Sequence, residues 1–317
     1  MIAPAMTDSL QKAGAPRRLL VIYNPTAGGS RRRRFEAVLA DLADFGCPMD
    51  VRPTTGPGDA AVFAQEADPA AHDLVVAAGG DGTINEVING LVGRSGAGAA
   101  PAVPPLAVLP LGTANVLAAE LGLDLVPAHI ARTIAQGPAQ PVSLGQASAA
   151  AGESRVFSLM AGAGFDARVV AGIDLRTKRL LGKGAYLLEG LCQMCRQKPP
   201  PLQVTVDGRT YEAASVVVSN ARFYGGRYLL APDARLQDPL LHVCLFRHGD
   251  LRHILRYAMA LQRGVLQRES GFQIVTGRDI RIEGDPGAPL QADGDIIARL
   301  PVRISPLPHA LRMVSAG

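Results

Sequence analysis

The chain has 317 residues, of which 48% are hydrophobic and 19% charged, and this length is enough for two globular domains. It contains no Trp and 4% aromatic residues, which argues against the stacking surfaces of single-strand nucleic-acid-binding proteins, so no nucleic acid partner is predicted. The net charge of +4 suits anionic ligands or an anionic membrane surface and selects neither.

Targeting and cysteine patterns are weak in this sequence. Residues 1–17 lack the apolar core of a secretory signal and are predicted to be a disordered tail. There is no run of 18 apolar residues, so we expect a cytoplasmic protein that at most rests peripherally on a membrane surface. Cys192-x-x-Cys195 has no second pair at zinc spacing and is interpreted as part of a packed helix.

From residue 18 to residue 141, short apolar runs alternate with amphipathic helical patterns. The predicted strands span 18–26, 48–55, 73–80 and 105–112, and the predicted helices span 31–46, 58–67, 83–92 and 113–123. This alternation predicts an α/β domain with a parallel sheet and helices on its faces. The glycine-rich spacer 93–105 is expected to be a surface loop.

Residues 142–312 have a different sequence pattern. Short β-branched segments bounded by Gly, Pro or Asp predict an antiparallel β-rich second domain, with a hairpin at 206–209. Helical patterns interrupt them at about 177–197 and 250–263. The second of these is amphipathic, with a predicted apolar face of Leu251, Ile254, Leu255, Ala258 and Leu261 that suits either the core or a bilayer. Whether the final strand returns to the first domain is not fixed by spacing.

The stretch Gly79-Gly80-Asp81-Gly82-Thr83 joins a predicted strand to a predicted helix. Glycines there allow positive φ and a close approach of the backbone to a ligand, and the free N–H groups of a helix start favour a phosphate. Asp81 would repel a phosphate, so it fits better as a group that binds nucleotide-borne Mg²⁺ or accepts a hydrogen bond. The alternative is a turn residue that caps the helix.

Two more loops repeat this design. Residues 24–34 join an Asn-Pro turn, Gly28-Gly29 and four arginines, Arg31 to Arg34, and residues 109–121 place Gly112-Thr113 at a strand end. The carboxyl ends of parallel strands lie along one edge, so three glycine-bearing loops should form one phosphate-sized crevice there. The arginines form either a solvated helix face or, for one or two of them, a screen for phosphate or membrane charge.

The motifs "NPTAGG", "GGDGTINEVINGL" and "LPLGTANVLAAELGL", in this order, resemble the catalytic domain of diacylglycerol kinases and related lipid kinases. The similarity continues through "GAGFDARVV", "NARFYGGRYLLAPDARLQDPLLHV" and "ADGD", and covers about residues 18–312. It implies an α/β domain like that of NAD kinases and phosphofructokinases, followed by a β-rich antiparallel sandwich. It also implies that ATP binds in the cleft between them.

The resemblance also implies site residues. The nucleotide contacts carried over are Asn24, Thr54, Gly79, Gly80, Asp81, Gly82, Thr83, Asn85, Gly112 and Thr113. The acids carried over as catalytic are Asp81, Asp293 and Asp295, with either of the last two as the base. The family usually has Glu where this chain has Asp295. Asp238 persists from a metal-binding pattern in which Pro239 replaces Gly, so it is either a second metal ligand or a turn carboxylate.

The function implied is an ATP-dependent and Mg²⁺-dependent lipid kinase that phosphorylates a lipid alcohol, with diacylglycerol ranked first. The alternatives are a ceramide or sphingoid-base kinase, an NAD kinase, and a non-catalytic protein that senses nucleotide or lipid. The expected partners are the lipid substrate and, transiently, a membrane surface. The oligomeric state is open, and a homodimer is one option.

Overall fold

The computed structural model describes residues 15–26, 29–94, 103–149, 154–165 and 200–316, with residues 152 and 167. The predicted helix 177–197 with its two cysteines and most of the spacer 93–105 lie outside the described residues. Arg17 was predicted to belong to the disordered tail, but its guanidinium donates to the carbonyls of Ile134 and Gly137, each at 2.7 Å. Residue 17 is therefore packed against the first domain, one position before the predicted boundary at residue 18.

Four parallel strands form the first half of the larger sheet, in the order β2-β1-β3-β4. Their bounds are β1 Leu19–Tyr23, β2 Met49–Pro53, β3 Leu74–Gly79 and β4 Leu106–Pro110. Strands β3 and β4 are buried at every position, because helices cover both faces of the sheet.

Five helices accompany these strands: α1 Gly29–Asp44, α2 Asp59–Gln65, α3 Asp81–Arg94, α4 Val116–Glu120 and α5 Pro127–Gln136. Helices α1 and α5 bury apolar side chains against one face of the sheet, and α2 and α3 against the other. Helix α5 was not predicted. Its signals are Pro127 in the first turn, where proline is favoured, and the buried Ile130 and Ile134 one turn apart.

The second half of the chain is rich in strands. Its elements are β5 Ala139–Ala149, β6 Ser154–Phe157, β7 Met160–Ala163, β8 Leu202–Val206, β9 Arg209–Ala213, β10 Ser215–Ser219, β11 Phe223–Tyr224, β12 Tyr228–Leu229, β13 Leu241–Phe246, α6 Leu251–Gln262, a 3₁₀ turn Leu266–Arg268, β14 Phe272–Gly277, β15 Ile280–Glu283, β16 Pro289–Ala292, β17 Asp295–Arg299 and β18 Val302–Val314. The predicted hairpin between β8 and β9 is confirmed, with positive φ at Asp207 and Gly208.

Two sheets form a sandwich in this half. An antiparallel sheet in the order β14-β13-β10-β7-β16-β17 packs on the β18-β15-β8-β9 part of the larger sheet. Side chains such as Val216, Leu241 and Ile282 fill the space between them. The antiparallel second domain predicted from the sequence is therefore confirmed.

Strand β18 joins the two halves. Its residues pair antiparallel with β15 and β5, and near its end Met313 pairs parallel with Leu106 of β4. One continuous sheet thus runs from the parallel half into the sandwich, and this strand holds the two halves side by side.

Candidate functional site

The carboxyl ends of the parallel strands gather four loops at one edge. Each strand continues past its end with a backbone hydrogen bond to its neighbour. The N–H of Asn24 donates to Ala78 O at 3.0 Å, that of Thr54 to Tyr23 O at 2.8 Å, and that of Leu111 to Gly79 O at 2.8 Å. These bonds fix the loops next to one another. The sequence predicted three glycine-bearing loops, and the loop after β2 is the fourth.

Glycine at this edge permits two loops to touch. A Cβ on Gly112 would lie 2.8 Å from the Cα of Gly80, and a Cβ on Gly79 would lie 2.6 Å from the Cβ of Thr83. The expectation that the glycines of the 79–83 loop take positive φ is wrong, because Gly79, Gly80 and Gly82 are not among the positive-φ glycines. Gly80 and Gly112 are needed where backbone packs on backbone, Gly79 leaves room for the Thr83 side chain, and a Cβ on Gly82 would meet no atom within 4 Å.

A cavity of about 710 Å³ opens at this edge, a size in the usual range for a bound small molecule. It is lined by the ends of the four loops, the first turns of α3 and one residue of β17: Asn24, Thr26, Arg31, Thr54, Thr55, Gly56, Pro57, Ala60, Gly79, Gly80, Gly82, Thr83, Glu86, Leu111, Gly112, Thr113 and Asp295. Eight of the ten predicted nucleotide contacts are in this lining, and Asp81 and Asn85 are not.

Donor groups are concentrated on one side of the cavity. The first intrahelical bond of α3 runs from Ile84 N–H to Gly80 O at 3.0 Å, so the N–H groups of Gly82 and Thr83 precede it and are available to an anion. Arg31 donates to the Thr113 hydroxyl at 2.8 Å, whereas Arg32 pairs with Glu36 in solvent. Of the arginine run, Arg31 thus faces the cavity.

Asp81 is directed at the start of α4. Its Oδ1 accepts from the Leu117 N–H at 3.4 Å, and burial raises the pKa of this carboxyl while the N–H groups of residues 115–117 oppose the shift. A carboxylate at a helix N-terminus stabilises that helix. The structure therefore places Asp81 where it holds α4 in position, outside the cavity lining.

The turn between β16 and β17 carries the other two acids. Asp293 and Gly294 both have positive φ, at 47° and 95°, as in a tight two-residue hairpin turn. The N–H of Gly294 donates to Gln291 Oε1 at 3.1 Å, which fixes the turn further. Asp293 points inward from this turn, whereas Asp295 is exposed and lines the cavity.

The Asp293 carboxylate accepts five hydrogen bonds. Its Oδ2 accepts from Asn85 Nδ2 at 2.7 Å, Ser158 N at 2.7 Å and Ser158 Oγ at 3.0 Å, and its Oδ1 accepts from Leu159 N and Met160 N, each at 3.0 Å. Burial raises the pKa of this carboxyl, and these donors oppose the shift. A carboxylate so fully engaged is suited to hold the turn in place.

Helix α3 is fixed to the second half by two amides. Asn85 is buried and binds Asp293, and Asn89 forms a reciprocal pair with β6, in which its Nδ2 donates to Val156 O at 2.9 Å and its Oδ1 accepts from Val156 N at 3.0 Å. Since the N-terminus of α3 lines the cavity, these hydrogen bonds fix that N-terminus, which we call the anion seat, relative to the turn that carries Asp295.

Asp238 lies in a turn, and its backbone N–H donates to Arg235 O at 3.0 Å. Nearby His242 is buried, burial lowers its pKa, and its Nε2 has no hydrogen-bond partner. Across the described ranges, no three His, Cys, Asp or Glu side chains come together as a metal cage. A metal at Asp238 would depend on backbone carbonyls and water, and it stays a prediction.

Two family models cover most of the chain. The diacylglycerol kinase catalytic domain matches residues 18–147, and the YegS C-terminal NAD kinase β-sandwich-like domain matches residues 160–315. The diacylglycerol kinase of Bacillus subtilis (strain 168) is 30% identical over 291 residues, which cover 90% of this chain and 92% of the relative. The chain belongs to the diacylglycerol kinase family. It is a lipid kinase, as the resemblance implied.

Other relatives of this lipid kinase agree. A Pseudomonas aeruginosa protein named "Probable lipid kinase YegS-like" is 32% identical over 298 residues, 93% of each chain. The crystal structure of a diacylglycerol kinase from Bacillus anthracis has a TM-score of 0.74 and 25% identity, covering 96% and 98% of the two chains. Yeast NADH kinase, at 13% identity and a TM-score of 0.51, shares the fold. The predicted fold class is confirmed.

Several cavity residues of the lipid kinase were missed from the sequence. Residues 55–57 follow β2 at the same sheet edge, so the strand-end rule could have found them. Glu86 lies one helical turn after Thr83 on α3, and its carboxylate accepts from the Gly58 N–H at 3.0 Å. Thr26 gave no signal beyond its position after the Asn-Pro turn.

Proposed function

We propose that this lipid kinase transfers the γ-phosphate of ATP to the hydroxyl of diacylglycerol. The observation that carries the proposal is that Asp295, from the sandwich, and the glycine edge of the parallel sheet line the same cavity. In-line phosphoryl transfer requires a site that holds the phosphates and a carboxylate opposite it that can orient the acceptor hydroxyl. The N-terminus of α3 and Asp295 have this arrangement.

The phosphates of ATP are proposed to lie against the N-terminus of α3. The free N–H groups of Gly82 and Thr83, the positive end of the helix dipole and the Arg31 guanidinium all favour negative charge there. Asn24 supports this wall, since its Nδ2 donates to Thr83 Oγ1 at 3.0 Å.

The residues present fit a nucleotide-borne Mg²⁺. This ion favours one or two carboxylates together with phosphate oxygens and water, and the Glu86 carboxylate lines the cavity. When bound, Mg²⁺ would neutralise charge on the phosphates. Asp81, the acid predicted for this task, is engaged by α4, so we assign it to positioning of the loop that carries Thr113.

Asp295 is proposed as the group that accepts the proton of the acceptor hydroxyl. It is exposed to the cavity, whereas Asp293 is saturated by its five donors. Asp293 is therefore a positioning residue that holds the turn, and positioning contributes more than basicity in this reaction.

Radiolabelled ATP incubated with separate acceptors tests the proposal. Diacylglycerol, monoacylglycerol, ceramide, sphingosine and NAD are presented in turn, and we expect label chiefly in diacylglycerol. Stronger labelling of ceramide or sphingosine would move the substrate to that class, and labelling of NAD alone would replace the lipid substrate. Nucleotide binding without any labelled acceptor would favour a sensing protein.

A further inference from the structure

Helix α6 turns a different face to the core than its sequence pattern predicts. Ile254, Tyr257 and Ala260 are buried, and Leu261 packs against the same core. Leu255, which the pattern placed on the same apolar face as Ile254 and Leu261, is 44% exposed. The helix therefore carries a second group of apolar side chains that its own fold does not cover.

These exposed side chains are large, and they lie on two neighbouring elements. Met259, one turn after Leu255 on the same side of the helix, is 50% exposed. Strand β12, which contacts α6, adds Tyr228 at 43% and Leu229 at 38%. Of the nine large hydrophobic side chains that are exposed in the described residues, four thus lie on these two neighbouring elements. Clustered exposed apolar side chains are typical of a surface that interacts with a protein, a membrane or a ligand.

The charge around these side chains is positive. Arg252 on α6 and Arg263, the residue that follows its last turn, are exposed, and at roughly 100° per residue they lie within about 40° of Met259 around the helix axis. Arg227, also exposed, lies in the turn between β11 and β12. Helix α6 itself, "LRHILRYAMALQ", contains no acidic residue. Apolar side chains flanked by arginines complement an anionic lipid surface.

We propose that Tyr228, Leu229, Leu255 and Met259, with Arg252 and Arg263, dock the enzyme on an anionic bilayer; we call these six residues the α6 surface. The inference rests on the proposed function, because a diacylglycerol acceptor resides in a bilayer. A second copy of the chain fits less well as the occupant, because a twofold interface here would set arginines against arginines.

The α6 surface is connected to the catalytic cavity through packed elements. Strand β11, paired with β12, contacts α4, and α4 is capped by Asp81 at the start of α3. A bilayer bound at this surface would therefore touch elements that are linked by packing, through α4, to the start of α3.

Co-sedimentation with vesicles tests the proposal. The full chain is mixed with vesicles of phosphatidylcholine alone or of equal parts phosphatidylcholine and phosphatidylglycerol. We expect binding to the anionic vesicles that weakens as salt is added. Leu255→Ser with Met259→Ser should lower that binding at least fivefold. Arg252→Gln with Arg263→Gln should lower it about tenfold and flatten its salt dependence.

The matched control is Leu125→Ser with Val126→Ser, which removes two equally exposed apolar side chains elsewhere and should leave vesicle binding unchanged. Thermal unfolding checks that each variant is folded. Kinase activity on a dissolved short-chain diacylglycerol should be equal in all variants. If the wild type lacked this activity, the proposed function would be contradicted, but the α6 surface would not. Unchanged vesicle binding by Leu255→Ser with Met259→Ser would overturn the proposal that the α6 surface docks on a bilayer. It would also be overturned if the wild type were a dimer and these changes dissociated it.

Discussion

The cavity that we propose as the active site has two walls, one made mostly of backbone groups and the other of side chains. The sheet edge offers mostly backbone groups. These are the N–H groups at the start of α3 and the loops that touch at Gly80 and Gly112. The β16–β17 turn offers side chains, and there the roles of Asp293 and Asp295 are separated by what surrounds each carboxylate. The backbone wall presents N–H groups in a geometry that local sequence determines, whereas the environment of each carboxylate in the side-chain wall depends on residues distant in sequence.

Replacing Asp295 by Asn should have the largest effect. The amide cannot accept the hydroxyl proton, so we expect kcat to fall by about 10²–10⁴-fold while ATP still binds and the fold is retained. Single-turnover transfer from labelled ATP and nucleotide binding by calorimetry measure the two quantities. Glu283→Gln on β15, an exposed acid outside the cavity, is the control.

Asp295→Glu sharpens the same comparison. It should retain substantial activity, because the carboxylate remains. Full activity in Asp295→Asn would show that the side-chain wall plays no part in proton transfer.

Asp293→Asn should come next, and its effect should be on stability as much as on turnover. In this variant the side-chain NH₂ of Asn would replace one carboxylate oxygen and would point at N–H or O–H donors with no acceptor opposite it. We therefore expect a loss of about 2–4 kcal/mol in the free energy of unfolding. Asn tolerates the positive φ of 47° at this position, so the backbone itself adds no strain.

Urea unfolding and the pH profile of kcat distinguish a positioning residue from a base. With Asp293→Asn, kcat should fall about tenfold and keep the shape of its pH profile. Loss of a limb of that profile with unaltered stability would instead make Asp293 the base and reverse the roles given to the two acids.

The fold could be predicted from the sequence to a large extent, because strands buried on both faces and glycine-bearing loops leave local patterns. The role of Asp293 could not, since its donors come from Asn85 and residues 158–160, more than 130 positions away along the chain. The orientation of Asp81 depends equally on α4, and the core face of α6 depends on strands that its own periodicity does not reveal.

Gly112→Ala should weaken the backbone wall by a smaller amount. The added Cβ would lie 2.7 Å from Asn115 Oδ1 and 2.8 Å from Gly80 Cα, so the two loops must separate. We expect the KM for ATP to rise about tenfold, which corresponds to about 1.4 kcal/mol of binding free energy. Gly93→Ala, in the last turn of α3, meets its nearest neighbour at 3.7 Å and is the matched control. An unchanged KM would show that contact between the loops is not required for nucleotide binding.

The smallest effect concerns Asp73, at the amino ends of the same strands, where no catalytic role is expected. It accepts from the backbone N–H and the guanidinium of Arg18, and these bonds lower its pKa from 3.8 to about 2. A lowered pKa in the folded state stabilises the protein above pH 4, and this contribution disappears as the pH falls from about 4 to about 2. Both side chains are more than 40% exposed, so screening limits the contribution to about 1 kcal/mol or less.

Asp73→Asn should therefore be less stable than the wild type in urea at pH 7, and the difference should shrink as the pH falls towards 2. A cycle with Arg18→Gln isolates the pair from other effects of either change. Phosphoryl transfer should be unaltered at pH 7, because catalysis belongs to the opposite edge of the sheet. A stability difference that stayed constant across this pH range would mean that the ion pair contributes nothing, and a loss of transfer would mean that the amino edge is coupled to the cavity.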